Sequence, residues 1–367
     1  MTIRIYKDKI RFVADSAGDT DIDLLIESDG LRFTKTLTVA SNVAYTTPPQ
    51  VSNQNAFISG GQTIPNVNFS IIETFPFAIS SGTATDTGGD LVTALGPGRQ
   101  TASSSTHGYT LGGSDGTMPQ SGTIQKFSFS ISSGTAVDIG DLNQTRTAGS
   151  GHESTSAAFC AGGTFGTGSQ TAIIDKVPFF QISGTSTNIA SLQNPGYRHA
   201  GFSDPISENG LISGGTRSIP TPYYLTTIRK FPFAISSGTT SDTGGNLSKH
   251  IQNASNVQST TTGFVAGGQT YSPPLPTPSP INDIHKFPFA ITSGTATDIA
   301  DLNIAVRSTM AGSNSLTAGF LAGGISPPAS PSSLSDIQKV PFAISSGSTS
   351  STGDLTTAKY NAGGHED

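Results

Sequence analysis

Residues 230–239 read "KFPFAISSGT", a Phe-Pro-Phe strand followed by a Ser-Gly turn. Close copies have their second residue at Phe75, Phe127, Val177, Phe287 and Val340, as "TFPFAI", "KFSFSI", "KVPFFQI", "KFPFAI" and "KVPFAI". A second element keeps step with the first. A Gly-Gly doublet closes the apolar runs "AFISGG", "GYTLGG", "AFCAGG", "GLISGG", "GFVAGG" and "GFLAGG", at Gly60, Gly112, Gly162, Gly214, Gly267 and Gly323. A third is a Thr-rich piece ending at Leu91, Leu142, Leu192, Leu247, Leu302 and Leu355.

One unit of about 52 residues therefore carries four strand-sized pieces. The first follows the Leu, the second ends in Gly-Gly, the third is the Phe-Pro-Phe piece and the fourth resembles "TATDIADL". Four short strands per unit of this length is the signature of a propeller blade. The expected fold is all-β, a six-bladed β-propeller over residues 51–367 with a small β domain over 1–50. The first unit lacks its first strand, and "DLTTAKYNAGGHED" (354–367) matches "DLNQTRTAGSGHES" (141–154). The C-terminal strand is thus expected to close the first blade beside Ala56–Gly61, hiding two sheet edges.

Phe75, Phe77 and Ile79 alternate and share one face of the third strand, where blade packs on blade. Proline in an interior strand removes a ladder hydrogen bond, so a bulge or an unpaired segment is expected there. The composition agrees: 43 Gly, 20 Phe and no Trp, with only 12% charged residues. Regular aromatics argue against disorder.

The Gly-Gly doublet at this period resembles the kelch repeat, which implies a β-propeller. "KFPFA", a "TATDI"-like segment, an Arg and "SSSTHGYTLGG", recurring in this order over about 54–367, resemble kelch-like repeat proteins of tailed bacteriophages, especially those of marine and cyanobacterial hosts. This resemblance implies a virion structural protein and not an enzyme: a capsid decoration, head fibre or tail-associated protein. It implies other virion proteins as partners, homo-oligomerisation in the particle, and location in the virion. The alternative is a binding module whose Pro-rich loop face grips a host-surface glycan or protein, and a third reading is an enzyme on a kelch scaffold.

Residues 1–50 hold 13 of the 44 charged residues. "TIRIY" and "KIRFV" are expected to pair, as are "DIDLLIE" and "LRFTKTLTV" around "SDG". Ile3, Ile5, Ile10, Phe12, Leu31 and Phe33 are the candidate attachment residues, and "TTPPQ" (46–50) reads as a stiff linker. The alternative is a β cap packed on the propeller.

The net charge of −6 and the lack of a basic run argue against nucleic acid as a partner. The first residues have charges inside any apolar core and are not expected to be a signal peptide. No apolar run approaches the roughly 20 residues of a membrane helix. The lone Cys160 permits no intrachain disulfide, and the histidines are scattered, so no metal, cofactor or catalytic residue is expected. His152 and His365 are equivalent by repeat.

Arg99, Arg146, Arg198, Arg307 and Lys359 fall on or just before the first strand of a unit. They would either ring the channel mouth, where an anion could bind, or pair with Asp86, Asp90, Asp138, Asp141, Asp298 and Asp301. The loops after Gly-Gly lengthen in the last three units (216–229, 269–285 and 325–338), where Tyr223, Tyr224 and Tyr271 offer rigid aromatic contacts or simply face solvent.

Overall fold

The computed structural model describes residues 54–96, 100–114, 120–217, 225–270, 279–306, 308–326 and 332–367. It also describes the backbone of the strands at 2–5, 9–13, 22–27, 30–33 and 223–224. Every regular element described is a β-strand, and no helix long and apolar enough to cross a membrane occurs among these residues. The chain divides into two compact units, 1–50 and 51–367.

The first unit is an antiparallel meander of Thr2–Ile5, Lys9–Val13, Ile22–Glu27 and Gly30–Phe33. Ile5 stands opposite Ile10, and Glu27 opposite Gly30. Ile3, Ile5, Ile10, Phe12, Leu31 and Phe33 all fall on these strands. Their side chains, and the 46–50 linker, lie outside the described residues.

The second unit is a six-bladed β-propeller. Its inner strands are Gln100–Ser103, Ser150–Glu153, Ala200–Asp204, Ser255–Gln258, Ala311–Asn314 and Gly363–Glu366. Each touches the next, and Gly363–Glu366 touches Gln100–Ser103, so the ring is closed. The first blade joins the two ends of the unit. Gly363–Glu366 pairs antiparallel with Asn55–Ser59, which pairs with Ile71–Pro76, which pairs with Thr85–Asp90. The Asp367 carboxylate also accepts bonds from the Gln54 and Asn55 backbone N–H groups.

Blade-to-blade packing explains the repeated phenylalanines. Phe75 and Phe77 are buried, and their rings lie 5.9 and 5.0 Å from that of Phe320 in the sixth blade. Ile79 packs on the same cluster. Burying one Phe side chain is worth roughly 1.5–3 kcal/mol, and the contact recurs around the ring: Phe231 and Phe233 meet Phe159, and Phe287 and Phe289 meet Phe202. The prolines cost little because Pro76, Pro178, Pro232, Pro288 and Pro341 each end the third strand. The fourth strand stops short of them. In the first blade its pairing reaches only Thr74↔Thr85, so no ladder bond is lost at Pro76. The irregularity sits upstream instead, between the third and fourth strands at Ile71/Glu73.

Two hydrogen-bond circuits tie the blades together. The outer one uses the Ser-Gly segment. In each blade the loop between third and fourth strands reaches back and pairs in parallel with the fourth strand of the preceding blade. The N–H groups of Ala84, Ala136, Ser186, Thr240, Ala296 and Thr349 donate to the carbonyls of Asp354, Asp90, Asp141, Ser191, Asn246 and Asp301, at 2.7–2.9 Å. "ISSGT" is therefore a blade-to-blade latch that also covers part of an exposed edge.

The inner circuit runs around the axis at the fourth residue of each inner strand. Ser103 N–H donates to Glu153, Glu153 to Ser203, Ser203 to Gln258, Gln258 to Asn314, Asn314 to Glu366 and Glu366 to Ser103. The inner strands approach so closely that a Cβ on Gly364 would lie 2.0 Å from the Gly312 carbonyl oxygen. One on Gly312 would lie equally near the Asn256 oxygen.

Candidate functional site

The linkers from fourth strand to next inner strand, and the residues just after the Gly-Gly doublets, meet at one end of the axis. The bridges Thr147↔Thr164, Tyr197↔Thr216 and Gln62↔Tyr360 join the two sets. Four of the linkers turn through a left-handed residue six positions past the repeat Leu: Ala148, Arg198, Asn253 and Asn361, with φ of 52–61°. Together they enclose an axial cup of about 300 Å³, lined by linker residues and by glycines of the inner strands such as Gly151, Gly201 and Gly312.

The described basic residues, Arg146, Arg198 and Lys359, do not share one setting. Arg146 and Lys359 stand four positions past the Leu, Arg307 five and Arg198 six. Arg146 is fully buried, with Nη2 2.5 Å from Asp175 and Nε donating to the Cys160 sulfur at 3.2 Å. Burial pushes the Asp175 carboxyl up even with the guanidinium beside it. Lys359 forms a fully buried ion pair with Glu73. The acids are thus not those of the fourth strand but residues at one position of the third strand, two before the Phe or Val. Asp86 and Asp138 instead accept from the N–H groups of Gly88 and Gly140, closing local turns.

The repeats show why. Across the six junctions, linker and third-strand residues read Lys359/Glu73, Leu95/Gln125, Arg146/Asp175, Gly196/Arg229, Ile251/His285 and Val306/Gln338. An acid occurs only where the linker brings a cation. Where the linker residue is Leu, Ile or Val the strand residue is Gln or His, and Gly196 stands opposite Arg229. Gln125 and Gln338 accept from the linker N–H groups of Thr93 and Asn303, as Glu73 does from Thr356. These groups stitch blade to blade.

Arg198 differs. It is a lining residue of the cup; its guanidinium lies 5.0 Å over the Tyr197 ring, and Nη1 donates to the Gln252 amide oxygen at 3.2 Å. No carboxylate among the described residues stands within ion-pair distance of it. Arg99, Arg307 and Tyr271 lie outside the described residues. Tyr223 and Tyr224 pair with Arg217 and Thr216 in a short hairpin, their side chains not described.

His152 and His365 are blade-to-blade bridges. Each takes a serine hydroxyl at Nε2 (Ser150 or Ser59), while Nδ1 donates to a carbonyl of the next blade, Phe202 or Ala102. Burial pushes the His152 pKa down to about 4, so its ring is neutral. No three His, Cys, Asp or Glu side chains among the described residues converge as a metal site would need.

Two features escaped sequence reasoning. The inner circuit contains two carboxylates, Glu153 and Glu366, flanking Ser103. Burial pushes Glu153 up to about 7, and burial together with the Glu153 charge pushes Glu366 up to about 8. The matching "GHES" and "GHED" tetrapeptides were the available signal. The other is an apolar patch on the third blade, where Phe180 and Ile182 replace the usual Ala and Ser and are 84% and 81% exposed.

The chain matches no known protein-family model and no curated protein sequence.

Proposed function

We propose that the protein is a structural component of a tailed-bacteriophage particle, with residues 1–50 attaching to other virion proteins and a kelch-like propeller displayed from that anchor. The observation that carries this reading is the division of the chain into two compact units, residues 1–50 and 51–367. The propeller closes on itself through 55–59 and 363–366, and its hydrogen-bond circuits use none of the first fifty residues. The clustered ionisable groups Arg146, Asp175, Lys359, Glu73 and His152 are committed to holding blades together, as expected of a non-catalytic scaffold.

The test is deletion of residues 1–50. The shortened chain is expected to keep the melting transition of the propeller and to disappear from purified particles. Normal incorporation would reject the anchoring role.

A second reading is favoured by the axial cup: a module that grips a host-surface glycan at the open end of the ring. Arg198, charged and without a carboxylate partner among the described residues, supports it. Binding of host polysaccharide to the isolated protein, lost on blocking the cup, is its test.

A further inference from the structure

We propose that the axial cup recognises an acidic sugar, with Arg198 taking the carboxylate. This rests on the glycan-binding reading above and names its ligand class.

The charge of the cup points to an anion. Among its described lining residues there is no Asp, Glu or Lys, and Arg198 is the one permanent charge. His199, the other basic residue there, is buried and pushed down to about 4, with Nδ1 donating to the Gly214 carbonyl, so it adds no charge near neutrality. An arginine guanidinium binds a carboxylate through two parallel N–H donors. Only one described side-chain contact uses the Arg198 fork, the bond to the neutral Gln252 amide. Arg146 and Lys359, by contrast, each face an acid at the neighbouring blade.

The backbone adds a second argument. Arg198 holds φ of 61°, a left-handed conformation that Asn accepts readily and Arg does not. Asn253 and Asn361 occupy the same position at two other linkers. Arginine is therefore the worse choice for the turn, and its side chain is what position 198 gains. The Tyr197 ring beneath the guanidinium limits its freedom, so less entropy is lost on binding.

The remaining lining suits a polyhydroxyl ligand. Thr147, Thr164, Asn253, Ser308, Thr309 and Asn361 bring hydroxyls and amides around the opening. A volume of about 300 Å³ is at the small end of ligand pockets, matching one or two sugar rings.

Titration calorimetry on the full chain tests this with galacturonate, its methyl ester, galactose and acetate. Galacturonate is expected to bind at least tenfold more tightly than galactose or the ester, and to weaken as salt is raised. Arg198→Asn, the residue found at equivalent linkers, is expected to remove that preference while leaving the melting temperature unchanged or higher. Equal binding of galacturonate and galactose would overturn the carboxylate assignment while leaving a glycan site in place. Acetate binding as tightly as galacturonate would overturn the sugar. Absence of binding by every saccharide to folded protein would overturn the proposal and the glycan reading with it.

Discussion

Lys359 and Glu73 form a fully buried ion pair that joins the last linker of the ring to the third strand of the first blade. It sits at the junction where the propeller closes. Breaking a buried pair by removing one partner is costly, because the other charge is left without compensation. Lys359→Met is expected to lower stability by about 3–5 kcal/mol. The double variant Lys359→Leu with Glu73→Gln recreates the pairing the protein already uses as Leu95/Gln125, and is expected to recover most of that loss. Denaturant titration of both variants measures it. A double variant as unstable as the single one would show that the two positions are not coupled.

The close approach of inner strands is tested at Gly364. A methyl group there would overlap the Gly312 carbonyl, and backbone cannot move aside as a side chain can. Gly364→Ala is expected to cost about 1–3 kcal/mol, and Gly364→Val more. Gly347 has open space around its missing Cβ, so strain from its φ of 87° is the only cost of alanine there. Thermal unfolding of Gly364→Ala should therefore fall below that of Gly347→Ala.

Glu153 and Glu366 make stability depend on pH. Their folded pKa values, about 7 and about 8, lie above the usual carboxylate value. The folded state therefore binds protons more tightly than the unfolded chain. Their contribution is complete below about pH 4.5 and is lost as pH rises through 7 to 8. Asp367 adds to the repulsion on Glu366, and no cation among the described residues pairs with either carboxylate. His152 works in the opposite sense, its contribution being lost as pH falls from 6.5 toward 4. Comparing each variant with the parent isolates the acids. Glu153→Gln keeps an oxygen for the Ser103 N–H, and is expected to reduce the fall in melting temperature between pH 5 and 8.5. A parallel pH profile would remove the assignment.

Phe179 and Phe180 adjoin in sequence but differ in setting. Phe179 stacks on Tyr109 at 4.8 Å, whereas Phe180 is 84% exposed. Phe179→Ala is expected to cost at least about 2 kcal/mol, and Phe180→Ala less than about 0.5 kcal/mol. Chemical denaturation of the two variants distinguishes them.

The ring, its period and its closing strand were legible because each rests on a pattern the chain states six times. Alternation of Phe75, Phe77 and Ile79 sufficed to place their shared face. The position of the prolines was harder to read, since ending a strand and interrupting one leave the same residue in the same text. The cup was only partly visible. Sequence spacing put Arg146, Arg198 and Lys359 together, yet shifts of one or two residues past the repeat Leu send them to different places. Arg146 and Lys359 enter blade junctions, while Arg198 is a lining residue of the cup. Their acid partners sit on another strand, and only comparison of linker with third strand across repeats would have revealed them. The latch formed by "ISSGT" was hidden for a related reason: a loop paired with a neighbouring blade has the composition of an ordinary turn.

The pairing of 55–59 with 363–366 sets the order in which the protein can be completed during synthesis. While residues 363–366 are still inside the ribosome, the strand at 55–59 has an unoccupied side, and five finished blades wait on a sixth contact. A translation product cut off before that point would keep this sticky flank and be a natural target for proteases. Quality control of the whole toroid thus depends on four amino acids made roughly three hundred residues after the strand they pair with.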